Sequence, residues 1–268
     1  MQTIPQSFRS GIAGVGLALA ALAAPAAHAA YVDQWTVDVN SYFSNVMPGS
    51  VTVSGDQKTL SWGTGSNGPS SLAISGAPTS GVVDTNGSQV ANFSVTHTNN
   101  VLDGNSATLS GTKIIADLVL TPTGGGASII KQVTFDLSFT ETTNSLNPCP
   151  NGSPNNTGFN INGCGDIFVF GDNALNASFD YEDHTYYLSF LEFTAGLNPL
   201  PNAACSAAGA SAPCIGFQTA ENKATTVQFS TMITSERVVI PVSEPGMLGL
   251  LGLALAGMAG ALRRRKSA

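Results

Sequence analysis

The chain has 268 residues, only 10% of them charged, and a formal net charge of −7 at pH 7. Five of its ten basic residues lie near the two ends, at Arg9 and 263–266, whereas all 17 acidic residues lie between Asp33 and Glu244. Residues 30–244 therefore carry 17 acids against five bases, a net charge of −12. A surface of this charge argues against binding to nucleic acid or another polyanion unless cations bridge the two.

The first 29 residues have the pattern of a secretory signal. Arg9 precedes an apolar stretch at 11–26 that is rich in Ala, Gly and Leu, and Ala27-His28-Ala29 fits the small-x-small cleavage pattern. We therefore predict a signal helix within residues 1–29 and a mature chain that begins at Ala30. This prediction places the mature chain in an oxidising compartment.

Residues 30–240 show a period of two almost everywhere and no helical stripe, which predicts an all-β domain. The clearest predicted strands are, in chain order, 51–53, 60–62, 89–99, 113–120, 133–141, 167–170, 186–193 and 225–233. Because the run at 167–170 is wholly apolar, we expect that strand to be buried on both faces. We predict a single antiparallel β-sandwich or jelly-roll-like domain, long enough to bury a core.

Two predicted strands end in a polar residue that continues a core-facing row. His97, within Thr96-His97-Thr98-Asn99, follows Phe93 and Val95, and Glu141 follows Phe139. We predict that both side chains lie where a strand leaves the core and satisfy the backbone of nearby loops. The alternative is an acid–base or metal pair at one end of the domain.

The four cysteines allow three disulfide connectivities. We favour Cys149–Cys164 and Cys205–Cys214, because each pair closes a short loop outside the predicted strands. A zinc site is the weaker alternative, since the sequence has no Cys-x-x-Cys and no nearby pair of histidines.

Other polar clusters give no specific signal, so no catalytic residue, cofactor or metal ligand is assigned. The clusters 84–87, 103–105 and 172–173 contain calcium-type oxygen donors but lack the spacing of a twelve-residue calcium loop, and we expect turns. A glycosidase needs two carboxyl groups about 5–10 Å apart. Glu141, Asp166 or Glu192 could supply such a pair, but nothing in the sequence selects them.

Residues 241–268 have a three-part organisation that predicts sorting. Val242-Ser243-Glu244-Pro245 is followed by an uncharged apolar stretch at 246–262 and then by Arg263-Arg264-Arg265-Lys266. The apolar stretch would span about 25 Å as a helix, near the lower limit for crossing a bilayer. Its basic tail, 263–268, should remain cytoplasmic. One interpretation is an ordinary single-span anchor.

The same order resembles the PEP-CTERM sorting signal, whose core is Pro-Glu-Pro, usually preceded by Val; here Ser243 stands in place of the first Pro. The motif at 96–99 is similar to the Thr-His-x-Asn signature of the THxN family of PEP-CTERM proteins. The segments 62–63, 83–87, 141–144 and 164–168 extend this resemblance over most of the mature chain.

The resemblance implies recognition by an exosortase, a membrane transpeptidase of bacteria that make extracellular polysaccharide. It implies a protein held transiently in the inner membrane, cleaved near the motif and delivered to the cell surface or extracellular matrix. A structural or adhesive role in an exopolysaccharide-associated envelope is then expected, and the family supplies no catalytic role. The alternatives are a secreted carbohydrate-active enzyme and a calcium-dependent carbohydrate-binding module.

Overall fold

The computed structural model describes residues 30–171, 176–192 and 196–238. These residues contain 14 strands and very little helix, and every pairing between named strands is antiparallel. The predicted all-β, antiparallel class is therefore confirmed. The predicted signal segment at 1–29 and the sorting segment at 241–268, with its motif, apolar stretch and basic tail, lie outside the described residues.

The strands form two curled sheets of seven. The first sheet has the order β12-β13-β9-β8-β7-β1-β5, and the second has the order β10-β11-β14-β6-β4-β3-β2. The strands are β1 (Gln34–Met47), β2 (Thr52–Val53), β3 (Thr59–Trp62), β4 (Ser70–Ser75), β5 (Thr79–Asp84), β6 (Val90–Asn99), β7 (Gly111–Pro122), β8 (Ile129–Thr140), β9 (Asp166–Phe170), β10 (Ala177–Tyr181), β11 (His184–Glu192), β12 (Asn198–Pro199), β13 (Ile215–Thr219) and β14 (Lys223–Thr234).

The two sheets share one apolar core, to which each contributes the buried face of its alternating strands. Phe135 of β8, in the first sheet, contacts Phe190 and Phe229 of the second sheet, with ring centroids 5.3 and 5.7 Å apart. Such aromatic pairs contribute about 0.5–1.5 kcal/mol each beyond the area they bury. The alternation that predicted β8 from sequence thus supplies the contacts that join the sheets.

Strand β9 is buried along its whole length, as its apolar run predicts. Phe168 and Phe170 face the main core. Ile167 and Val169 face a second, smaller cluster that contains Cys205 and Cys214. Cys205 lies on α1 (Asn202–Ala207), a six-residue helix that the sequence analysis missed when it found no helical segment.

The longest strand, β1, was also absent from the predicted strands. It places Trp35, Val37, Val39 and Phe43 in the core, with the polar Ser41 buried in the same row. The predicted strands at 51–53 and 60–62 pair as an antiparallel hairpin, in which Val53 of β2 lies opposite Leu60 of β3. Within the described ranges, no helix is both long enough and apolar enough to span a bilayer.

Candidate functional site

The ends of several strands meet at one end of the molecule. Asn99, the last residue of β6, pairs with Lys223, the first residue of β14. Asp166, the first residue of β9, pairs with Thr219, the last residue of β13. Because β13 and β14 belong to different sheets, the connection between them crosses from one sheet to the other and carries Glu221. Polar residues from both sheets therefore converge here.

The Thr96-His97-Thr98-Asn99 motif lies on β6 and alternates across it. His97 and Asn99 point inward and are fully buried, whereas Thr96 and Thr98 are partly exposed on the other face. The Thr96 hydroxyl lies 2.8 Å from the Thr226 hydroxyl of the neighbouring β14. Any chemistry of this motif therefore belongs to His97 and Asn99.

His97 is enclosed by aromatic rings. Its imidazole stacks on Trp62, with ring centroids 5.7 Å apart and an interplanar angle of 6°, and meets Phe168 edge-on at 4.6 Å. Neither ring nitrogen has a hydrogen-bond partner among the described residues, and Nε2 lies 3.9 Å from Asp166 Oδ2. Burial lowers the pKa of His97 to about 3, so the ring is neutral at pH 7.

Glu141 is linked to His97 through Trp62, whose indole Nε1 donates a hydrogen bond to Glu141 Oε2 at 3.1 Å. The prediction that both residues lie where strands leave the core is confirmed. The prediction that they satisfy loop backbone is wrong for His97. That role belongs to Asp166, which accepts from the amide of Thr142, in the loop after β8, at 2.9 Å. Asn99 instead donates to the carbonyl of Thr219, the last residue of β13, at 3.1 Å.

Three carboxyl groups lie together beside this pair. Glu141, Asp166 and Glu221 each offer an oxygen, and these oxygens all lie within 4.8 Å of one another. Asp166 and Glu221 are fully buried, and Glu141 is partly exposed. We call these three residues the carboxylate cluster.

Burial disfavours the charged form of all three acids. It raises the pKa of Glu141 to about 7. Burial, followed by the nearby charge of Glu141, raises the pKa of Asp166 well above its usual range. Burial also raises the pKa of Glu221, although hydrogen bonds to Asn99 and Asn144 act in the opposite direction. Without a cation, the cluster therefore holds protons that exposed carboxyls release.

Several oxygen atoms around the cluster are buried without a hydrogen-bond partner in the described structure. They are Asp166 Oδ2, Glu221 Oε2, Asn99 Oδ1, Asn144 Oδ1 and Thr219 Oγ1. Buried polar atoms are normally paired, because each unpaired one costs about 1–3 kcal/mol. Because five unpaired oxygens lie in one region, we look for a single partner that could satisfy all of them.

Glycoside hydrolysis does not fit this geometry. Of the candidate carboxyls, Glu141 and Asp166 are brought together, whereas Glu192 accepts a hydrogen bond from the Gly196 amide and is not part of the cluster. Asp166 is fully buried, so a sugar ring cannot lie between it and Glu141. Of the three cluster residues, Glu141 lines a surface recess of about 390 Å³, together with Asp103 and Asn144.

The predicted turns and disulfides are found. Gly87 N–H donates to the Asp84 carbonyl, and Ser106 N–H donates to the Asp103 carbonyl, so these clusters form turns; 172–173 lies outside the described residues. Disulfides join Cys149 to Cys164 and Cys205 to Cys214, which confirms the pairing. No free cysteine remains for zinc in the described chain.

Sequence reasoning missed Glu221, Thr219 and Asn144 as members of this site. Asn144 belongs to the segment 141–144 that carried the family resemblance, which was the only signal. Glu221 lies in the short connection between β13 and β14, where the sequence pattern predicts that a single acidic residue is an exposed turn residue. The sorting residues Val242 to Pro245 and the basic residues Arg263 to Lys266 lie outside the described residues.

Comparison of the chain with protein-family models and with curated proteins finds no match.

Proposed function

We propose that this chain is an exported cell-surface or extracellular-matrix protein, sorted by an exosortase-type transpeptidase and structural or adhesive in an exopolysaccharide-associated envelope. In this proposal, a helix within 1–29 directs export, and a helix at 246–262 holds the precursor in the inner membrane. The two curled sheets then form one jelly-roll-like sandwich that is delivered as the mature protein.

The observation that carries this proposal is the three-part tail, in which Glu244-Pro245, an apolar stretch and four consecutive basic residues follow one another. An ordinary anchor requires only the apolar stretch and flanking charges. The two disulfides support export, because such bonds persist in oxidising compartments.

A structural or adhesive role is favoured over catalysis by the burial of the ionisable groups. Asp166, Glu221 and His97 are all fully buried, so a polymeric substrate cannot reach them. The net charge of −12 over 30–244 suits solubility outside the cell and requires cations for any contact with an anionic polysaccharide.

The test replaces both Glu244 and Pro245 by Ala in the native host. The matched control replaces Glu236 and Pro241, an acid and a proline outside the motif, by Ala. We expect the control to give the wild-type mature mass and the motif variant to accumulate as an unprocessed, membrane-held precursor. Intact-mass analysis of each fraction reports the C-terminus directly.

An unchanged mature C-terminus in the motif variant would refute sorting by a transpeptidase and favour a plain membrane anchor. A further variant, Ser243→Pro, restores the proline usual in the resembled motif. It should be processed at least as completely as the wild type.

A further inference from the structure

We propose that the carboxylate cluster, together with the side-chain oxygens of Asn99, Asn144 and Thr219, is a binding site for one calcium ion. The site lies at the end of the molecule where the chain crosses from the first sheet to the second, between β13 and β14. It is independent of how the protein is sorted.

The first argument is the charge. Three carboxyl groups lie within 4.8 Å of one another, and two of them are fully buried. Among the described residues, the ion pair that involves a lysine or arginine joins Lys113 to Asp136, neither of which belongs to the cluster. His97 does not offset the cluster either, because its Nε2 lies 3.9 Å from Asp166 Oδ2 and neither ring nitrogen has a hydrogen-bond partner in the described structure. Buried charges are normally paired or bound to metal, so the cluster calls for a cation.

The second argument is independent and rests on the neutral oxygens. Asn99 is fully buried and donates its amide nitrogen to Glu221 Oε1 at 3.2 Å, which places its unpaired Oδ1 beside the carboxylates. Thr219 is also fully buried, and its hydroxyl is unpaired. A shared proton can satisfy a pair of acids, but it leaves these neutral oxygens without a partner. A cation satisfies both groups at once.

The third argument identifies the ion. The donors are carboxylate, amide and hydroxyl oxygens of six residues from four segments of chain, which matches the six to eight oxygens that calcium takes. Magnesium keeps several waters and requires a tighter octahedron. Structural zinc prefers four ligands that include sulfur or imidazole nitrogen, and all described cysteines are in disulfides.

The recess gives the ion a route to the site. Glu141 and Asn144 line it, and Asp103 lies at the same surface. Gly163 fixes one side of the site: it has a φ of +125°, and a Cβ there would lie 2.7 Å from Asn144 Oδ1. A side chain at 163 would therefore displace a proposed ligand.

The experiment uses the exported protein, stripped with a chelator and titrated calorimetrically with CaCl₂, MgCl₂ or ZnCl₂. We expect about one calcium ion per chain and weaker binding of magnesium. Glu221→Gln should weaken calcium binding by at least about tenfold, because it removes a ligand charge. Glu236→Gln, which changes an exposed acid, should leave it unchanged.

Folding of the variant is checked in the same samples. Because Glu221→Gln removes a buried acid, its melting temperature in chelator should be no lower than that of the wild type, while a given calcium concentration should raise it less than it raises that of the wild type. If that variant does not fold, Asp166→Asn and Asn144→Ala provide the same comparison.

Terbium, a luminescent substitute for calcium, gives a measurement on the unaltered site. Trp62 donates to Glu141, so its indole should sensitise bound terbium, and Trp62→Phe should abolish the signal where Trp35→Phe does not. Absence of calcium binding, preference for zinc, or calcium binding unaffected by the ligand variants would each overturn the assignment. Calcium-dependent stabilisation that is smaller in Glu221→Gln than in the wild type supports it.

Discussion

The stability of the calcium-free protein should fall as the pH rises from about 4.5 to 7. The relevant group is Glu141, whose usual pKa of 4.5 is raised to about 7 by burial in the folded state. Between these two values the folded chain keeps a proton that the unfolded chain has released. The derivative of the unfolding free energy with pH is therefore negative in this window, since the folded state binds more protons.

The magnitude follows from the same two values. A displacement from 4.5 to about 7 corresponds to a loss on the order of 3 kcal/mol, which is complete only above pH 7 and absent well below pH 4.5. Asp166 and Glu221, whose pKa values are also raised by burial, act in the same direction. The effect is large compared with the 5–15 kcal/mol that typically stabilises a domain.

The assay is chemical denaturation in chelator at pH 5 and pH 7.5, for the wild type and for Glu141→Gln. The variant removes the titrating group, so the difference in unfolding free energy between the two pH values should shrink by roughly 2 kcal/mol, because pH 5 already lies above the usual pKa of 4.5. Glu236→Gln, at an exposed acid, should reproduce the wild-type difference. Calcium at pH 7.5 should restore stability to the wild type and not to Glu141→Gln.

A wild-type protein that becomes more stable between pH 5 and 7.5 in chelator would refute this reasoning, as would a pH dependence that Glu141→Gln leaves intact. The first result would mean that the carboxyls are ionised in the folded state without a cation, against the effect expected from their burial. The second would mean that the pH dependence comes from a group other than Glu141.

Two further predictions concern the surroundings of the cluster. His97→Ala should lower stability by about 2–4 kcal/mol, because it empties a site enclosed by Trp62, Phe139 and Phe168. The unfolding free energy of His97→Phe should stay within about 1 kcal/mol of the wild type, since neither ring nitrogen has a hydrogen-bond partner. Equal losses of stability for the two variants in denaturant would show that the ring nitrogens make a stabilising interaction. Neither variant should alter matrix association. Replacing Cys149 and Cys164 by Ser should cost about 3 kcal/mol and also weaken calcium binding, because Cys164 lies two residues from Asp166. Replacing Cys205 and Cys214 by Ser should lower the melting temperature comparably and leave the calorimetric affinity unchanged; if both pairs weaken binding equally, the effect is global.

The parts of the fold that sequence predicted are those that depend on local pattern. The alternation along 133–141 and the apolar run at 167–170 fixed the burial of β8 and β9, because side-chain direction in a strand has a period of two. The disulfides were also local, since each closes a loop of 9 to 15 residues. The strand β1 carries the same alternation, but Ser41 interrupts its apolar row, so the pattern predicts this strand less clearly than the others.

The site could not be predicted from the sequence, because its residues are brought together by the pairing register of strands that lie far apart in the chain. The pairing of Asp166 with Thr219, and of Asn99 with Lys223, brings Glu221 beside an acid that lies 55 positions earlier in the chain. A period-two pattern gives the face of each residue but not its partner across the sheet. His97 and Glu141 were recognised because each ends a row, whereas Glu221 follows no row at all.

The structure also gives the Thr-His-Thr-Asn motif a physical meaning that its position on a strand does not supply. Three of the four segments that extend the family resemblance contribute to the same site: Trp62 contacts His97 and Glu141, and 141–144 and 164–168 contain Glu141, Asn144 and Asp166. The fourth, 83–87, contacts Ile233, near the far end of β14. A strand needs only apolar residues at 97 and 99 to bury that face. Placing an amide at 99 costs stability, so Asn99, which donates to Glu221 and leaves its Oδ1 unpaired, is better explained by what the carboxylate cluster binds than by the fold.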